Sequence, residues 1–469
     1  MSMFQKSCNA LGALFVPPQA ITPLPAEKVP AEYRRQRIRN FTGIFSGYGA
    51  SYLVRSSLLS LAIPVMLDAG IGDKASLGMM LSAFSIAYGV SKFVMGNVSD
   101  RSNPRYFLAF GLLISALATL VFGCCGSSMY TGKAAWVLAA IMFICGWGGG
   151  MCYPPCVRIL AHWFSIKERS LVMAAWNVSH NAGGCLVPVV ASLSMTLFGV
   201  WRWMFFLPAI IVMGFVALCI ATVRDTPQSV GLPSIEDYHQ QKNGQEIAKT
   251  ETEATVKVSA GAEEKELSGK EIFFKHILNN RAIWFLSFAN VFVYFVRFGV
   301  LNWIPTYLHE TRGFSFGSRG LAMCLFELAG IPAMMISGYI SEKFFQNRRT
   351  PVIVISMLLT IFAVMVYWRN PVGSYALDLV SLSAIGFLIY GPVVFIGMQA
   401  VDVVYKKAVG TATGMTGFFG YIFGSAGAGY LMGAVVQNYG WDAGFIMIIV
   451  ATVLAVLCLI PVWNAGGEK

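Results

Sequence analysis

Hydrophobic and polar positions along this chain do not alternate; they come in long blocks. Twelve apolar runs stand out, at about 41–67, 76–98, 105–126, 135–163, 169–199, 201–222, 282–308, 317–341, 351–368, 375–400, 408–436 and 441–463. Each suits a helix of the ~20 residues that cross the hydrocarbon of a bilayer. Transmembrane barrel strands are shorter, ~10 residues with alternating polarity, and that pattern is missing. The pattern predicts an all-α membrane protein of twelve transmembrane helices. Its organisation is an N-terminal segment over 1–40, a six-helix unit over 41–223, a polar linker over 224–280 and a second six-helix unit over 281–465. No apolar signal core precedes Phe41, so no cleaved signal is expected. The linker is charged and of low complexity from Gln240 to Lys270. It is too short and polar to bury the core of a soluble enzyme domain, although residues 269–280 suit a short surface helix.

Composition agrees: the 469 residues are 56% hydrophobic and 12% charged, against roughly 25% charged in soluble domains. The net charge of +11 is a matter of topology rather than of nucleic-acid binding. Basic residues crowd alternate loops, at Arg34, Arg35, Arg37 and Arg39, at Arg101 and Arg105, at Lys167 and Arg169, at Lys343, Arg348 and Arg349, and at Lys406 and Lys407. The intervening loops hold few. Basic loops stay cytoplasmic, which puts both termini inside, as an even number of crossings requires. Nine of the ten cysteines fall in or beside apolar runs, and Cys8 lies in the tail. They offer neither a disulfide framework nor metal-ligand spacing and read as small packing residues. No metal, cofactor, catalytic cluster or phosphate-cradling nucleotide loop is indicated.

The two halves repeat. Gly96-Asn97-Val98-Ser99-Asp100-Arg101 follows the second run, and Gly338-Tyr339-Ile340-Ser341-Glu342-Lys343 follows the eighth, 242 positions later. Tyr52-Leu53-Val54-Arg55 and Tyr294-Phe295-Val296-Arg297 share that offset. Lys167-Glu168-Arg169 and Lys406-Lys407 form a looser third pair. The repeat keeps its orientation, so the halves are parallel and related by an axis along the membrane normal, the arrangement of major-facilitator transporters. Glycines such as Gly146, Gly148 to Gly150, Gly183, Gly184, Gly420 and Gly424 suit close helix contacts.

Few charged groups remain inside the runs. An arginine at membrane depth is costly and by default marks a substrate path. Arg55 and Arg297 occupy matching places in the two halves, and with Lys92 and His180 they describe a positive cavity. A guanidinium binds phosphate oxygens bidentately and keeps its charge, so the pair fits a phosphoryl group. The competing reading is a structural ion pair, for which Glu327 is the one obvious mid-run acid. Lys92 either reaches the ligand or snorkels to the interface. His180 is either a site residue or a hydrogen-bonded core group. Glu327 either balances the arginines or serves as a protonated helix–helix contact. Tyr48, Tyr52, Tyr88, Tyr294, Tyr390 and Tyr421 supply hydroxyls on apolar bodies; packing is the alternative for each one singly. Arg158, near the end of the fourth run, reads as a structural or interfacial residue. Asp100, Arg101 and Glu342, in the two repeated loops, read as gate or hinge positions.

These residues resemble the organophosphate:phosphate antiporters of the major facilitator superfamily over nearly the whole chain, and within them the bacterial glycerol-3-phosphate transporters. The likeness is carried by Tyr52-Leu53-Val54-Arg55, Ser85-Ile86-Ala87-Tyr88-Gly89, Ser99 to Arg105, Trp176-Asn177 with His180-Asn181, and Asp225-Thr226-Pro227-Gln228-Ser229. In the second half it is carried by Phe292-Val293-Tyr294 with Arg297, Ala329-Gly330-Ile331-Pro332, Gly386 to Pro392, and Phe419-Gly420-Tyr421. The resemblance implies a major facilitator fold of two pseudo-symmetric six-helix bundles in the bacterial inner membrane, acting as a monomer. It implies exchange of inorganic phosphate for an organophosphate by rocking of the halves. Arg55 and Arg297 would grip the phosphoryl group, with Lys92, His180, Trp176, Asn177 and the tyrosines around it. The chain departs from the family pattern at Ser56, where lysine is frequent, at Asn302, where an acid is common, and at Gly149, where glutamine is common. The phosphate grip is therefore intact and the surroundings of the organic part differ. Glycerol 3-phosphate is the expected substrate, with hexose 6-phosphate and phosphoglycerate as alternatives. The neutral Gly424-Ser425-Ala426-Gly427 argues against hexose phosphate. Two other classes are a sugar-phosphate sensor with the same fold and a membrane enzyme acting on phosphate esters. The plain linker speaks against the first and the lack of a nucleophile–base pair against the second.

Overall fold

A computed structural model describes residues 16–242, 278–346, 348–404 and 409–465. Lys406, Lys407, Cys8 and most of the linker lie outside them. The described residues are helical and contain no strand.

The first crossing is two helices, α1 (Val29–Ser51) and α2 (Ser56–Asp68). Then come α3 (Lys74–Asp100) and α4 (Pro104–Cys124). The fourth crossing is again double, α5 (Ala135–Met151) and α6 (Tyr153–Trp163). The first half closes with α7 (Ile166–Phe198) and α8 (Trp203–Thr222). A short α9 (Ile235–Lys242) follows in the linker. The second half holds α10 (Arg281–Arg312), α11 (Phe316–Phe345), α12 (Arg349–Arg369) and α13 (Tyr375–Asp402). It ends with α14 (Val409–Phe419), a π-helical turn over Gly420–Ser425, and α15 (Ala426–Leu459).

Among the described residues, eleven helical stretches are long and apolar enough to cross a membrane, the last running 52 residues from Thr411 to Val462. That stretch makes two crossings, because Gly440 breaks it at φ 81°, ψ 178°, a conformation open to glycine alone without strain. The first helix starts at Val29, twelve residues before its apolar run. Hydropathy marks only the part in lipid, and the arginine-rich turns of α1 continue the helix beyond it.

The basic loops and both ends of the described chain share one face, where Leu24 N–H bonds to Gly231 and Thr350 Oγ1 to Val462. At the opposite face the halves are latched together. Lys74 pairs with Glu310 at 2.8 Å, His309 with Asp68 at 2.7 Å, and Gln437 accepts the Ala75 N–H at 2.9 Å. Just inside that latch Gly78 meets Gly429 so closely that a Cβ on Gly78 would strike the Gly429 carbonyl. Besides the contact of α2 with α10, the seam has two strips. On one, α3 packs against α15, with Ser82 bonded to Ala426 at 2.5 Å and Ser85 to Ser425 at 2.9 Å. On the other, α7 packs against α11, with Asn181 Nδ2 donating to the Glu327 carbonyl at 2.7 Å.

Candidate functional site

Arg55 sits at the break in the first crossing. A tight turn over Tyr52–Val54 ends α1, Arg55 itself is extended (φ −91°, ψ 179°), and Ser56 opens α2. Cys145 Sγ caps the freed Val54 carbonyl at 3.2 Å. Its repeat mate Arg297 lies in an unbroken α10. The repeat thus preserves the side chains while the local backbones differ. Both arginines are buried, and among the described residues neither is in an ion pair.

Two chains of rings join them. The Arg55 guanidinium lies 4.4 Å from the Tyr52 ring centre; Tyr52 is 6.0 Å from the His180 ring; His180 is 6.3 Å from Tyr390; and Tyr390 is 4.5 Å from the Arg297 guanidinium. On the other side Arg55 lies 4.3 Å from Tyr88, Tyr88 4.7 Å from Tyr421, Tyr421 6.1 Å from Phe298, and Phe298 5.2 Å from Arg297. The result is a closed ring of side chains drawn from both halves, with one cation at each pole. Cation–π contacts of this kind moderate the cost of burying a guanidinium without using its charge.

Tyr390 also links Arg297 to Glu327. Arg297 Nη2 donates to the Tyr390 hydroxyl at 2.8 Å, and that hydroxyl donates to Glu327 Oε2. Arg297 Nε has no partner. Glu327 therefore offsets Arg297 at one remove, and Arg55 and Lys92 keep their charge unbalanced.

A cavity of about 560 Å³ leads from Tyr421 and Lys92, past Tyr153, to Asp100, Arg158 and His162 at the face of the basic loops. Lys92 points into it, its Nζ 4.2 Å from the Tyr153 ring, so it is a cavity residue here rather than one extended along lipid. Tyr421 is within electrostatic reach of Arg55, Lys92 and Arg297 together. Tyr294 packs on Tyr421 at 5.0 Å. Tyr48 is buried behind Tyr52, against Trp176 at 4.9 Å. Trp176 bonds the Ile44 carbonyl at 3.3 Å and so braces α7 on α1. Asn177 is half-buried on the next position of the same helix.

Of the two readings of Arg158, structural or interfacial, its bonds favour the structural one. Its Nη1 takes the carbonyls of Ser99, Asp100 and Ser102 at 2.9, 2.6 and 2.9 Å, and its Nη2 takes Asp225 at 2.9 Å. Burial pushes the Asp225 carboxyl above its ordinary range against the pull of Arg158. The end of α3 is thus capped by Arg158, and the Asp100 carboxylate, unlike those of Asp225 and the latch, enters no ion pair among the described residues. Arg101 and Glu342 are likewise exposed and in no ion pair.

Sequence reasoning passed over Phe298, Tyr153 and Ser60. Ser60 Oγ meets Asn302 Oδ1 at 3.3 Å, and the two are 242 positions apart. Repeat mates that touch each other must lie at the pseudo-twofold axis. The shared offset was the signal: applied to Asn302 it points to Ser60, a second polar residue in an apolar run.

The model of the Major Facilitator Superfamily matches residues 44–428. The glycerol-3-phosphate transporter of Bacillus subtilis is 47% identical over 453 residues, covering 97% of this chain and 98% of that one. A probable hexose phosphate transport protein of Chlamydia muridarum is 39% identical over 468 residues, covering 98% of each. Among solved structures, a bacterial homologue of the human lysosomal transporter Spinster, inward-facing and unoccupied, superposes with a TM-score of 0.65 at 14% identity, over 91% of this chain and 95% of the other. At that identity the likeness concerns the fold alone.

Proposed function

The chain belongs to the major facilitator superfamily, within its organophosphate:phosphate antiporters, and on that premise we propose that it exchanges inorganic phosphate for glycerol 3-phosphate. The phosphoryl group is held between Arg55 and Arg297. The observation that carries this reading is the closed ring with a guanidinium at each pole and an excess of positive charge over Glu327. A phosphate dianion matches two fixed cations in charge and two guanidinium forks in geometry. The relative at 47% identity bears the name glycerol-3-phosphate transporter, and the neutral stretch Gly424 to Gly427 offers no charged pair for a hexose.

The halves rock about the ring. In the state described here they are latched at the face opposite the basic loops, and the cavity opens at the basic face. With the basic face cytoplasmic, this is the inward-open state of an inner-membrane protein. Bound anion cancels the repulsion among Arg55, Arg297 and Lys92 and lets the open side close. Empty, the cations resist closure, which makes exchange obligatory. Asp100, Arg101 and Glu342 stand where the basic face must close. The protein works as a monomer and performs no bond chemistry on its cargo.

Purified protein in liposomes loaded with phosphate tests this. Labelled phosphate should exchange against external glycerol 3-phosphate faster than against glucose 6-phosphate or 3-phosphoglycerate, with the ester recovered intact. Preference for glucose 6-phosphate would move the chain to the hexose carriers. Net phosphate efflux at the same rate without any external ester or phosphate would refute obligatory exchange.

A further inference from the structure

A second cavity, of about 710 Å³, lies away from the translocation site, between α1 and the start of α7, with α9 over its polar end. Its wall on α1 is one stripe, Pro30, Arg34, Ile38 and Phe41, at helical spacing. From Pro30 to Thr42 that stripe runs about 18 Å at the rise of an α-helix. Its chemistry is graded along this length. Arg34 and Arg37 stand at the basic face; Ile38, Phe41, Leu171 and Ala175 follow toward the membrane. Leu171 is 76% exposed and Ile38 58%, so the apolar part opens toward lipid.

Arg37 is fixed, 4.4 Å over the Phe164 ring and 2.6 Å from Glu168. Arg34 is exposed and has no hydrogen bond or ion pair among the described residues. Tyr238 of α9 stacks on Tyr33 at 4.4 Å and walls off the polar end. The groove therefore offers one unpaired cation, Arg34, at its mouth, joined to an apolar channel that reaches the membrane edge at Phe41 and Leu171. Free phosphate lacks the tail to fill it. A zwitterionic lipid brings a second cation to Arg34. Basic residues at the membrane end of helices attract anionic headgroups.

We propose that this groove is a binding site for an anionic glycerophospholipid, its phosphate at Arg34 and an acyl chain along Ile38, Phe41 and Ala175. The bound lipid ties α1 to α7, which carry Tyr48, Tyr52, Trp176 and His180 toward the cavity.

Native mass spectrometry of the full chain in detergent tests it, with phosphatidylglycerol and phosphatidylcholine of the same acyl chains as probes. One phosphatidylglycerol per chain should be retained in preference. Arg34→Gln should weaken retention roughly fivefold, the factor of one basic residue near an anionic surface. Ala175→Trp, which fills the apolar channel, should weaken it with Arg34 intact. Glycerol 3-phosphate should not displace the lipid. Equal retention of the two lipids, either variant leaving retention unchanged, or displacement by glycerol 3-phosphate would each overturn the proposal. Phosphate exchange by Arg34→Gln in liposomes is expected to persist, so this site and the translocation site fail or stand separately.

Discussion

Replacing Arg55 by lysine keeps the positive charge and removes the planar fork. The side chain is enclosed by Tyr52 and Tyr88 at 4.4 and 4.3 Å and by Phe84 at 6.0 Å, and an ammonium can occupy the same aromatic cage. The cage and the charge therefore survive, and the variant should fold. What is lost is the second of two parallel N–H donors to the phosphate. A hydrogen bond to a charged group contributes about 1.5–3 kcal/mol, and each 1.4 kcal/mol is about tenfold in affinity. The phosphate Kd should rise about 10- to 150-fold, measured by calorimetry on purified protein, and counterflow in liposomes should fall with it. Arg297→Lys should lose as much affinity and more stability, because Arg297 also donates to Tyr390 at 2.8 Å. If Arg55→Lys binds phosphate within about threefold of the parent while its Tm falls, the forked grip is wrong and Arg55 is a structural cation.

Three further outcomes are expected. Arg158→Ala leaves three carbonyls uncapped and strands the Asp225 carboxylate, whose side chain is 1% exposed; a loss of about 3–5 kcal/mol should appear in thermal denaturation near neutral pH. Asp225 already sits above its ordinary range through burial. Folding thus favours its protonated form, and the deficit of Arg158→Ala should shrink as pH falls toward 5 and grow as it rises. A deficit independent of pH would show that the carboxylate is not its source. Gly78→Val places side-chain atoms against the Gly429 carbonyl across the seam. It should open the latched face, read as faster thiol labelling of an introduced Ser85→Cys from that side; unchanged labelling would mean that the face does not close through this contact. Tyr390→Phe removes the hydroxyl between Arg297 and Glu327. Phosphate affinity should drop if Tyr390 orients Arg297, and should rise if its main effect is to occupy that guanidinium; we expect the drop, with about 1.5–3 kcal/mol lost.

Much of this protein was legible in the order of its residues. Block hydropathy yields twelve crossings because lipid leaves no backbone polar group a partner outside its own helix. A charge at membrane depth is expensive enough to stand out singly, which exposes Arg55, Arg297 and Lys92. Their offset of 242 then makes the arginines repeat mates before any coordinate is known. Tertiary structure decided the rest. Hydropathy cannot tell that the first crossing breaks at Arg55 while α10 runs straight through Arg297, since both arginines lie inside apolar runs and share Tyr and Val three and one positions before them. Nor can it tell that Tyr390 rather than Glu327 touches Arg297, that Phe298 completes the ring, or that Ser60 meets Asn302 at the axis. Periodicity fixes which side of a helix a residue occupies. Which helices face one another, at what depth and with which end latched, depends on packing between segments hundreds of residues apart, and that is settled only when the two halves meet.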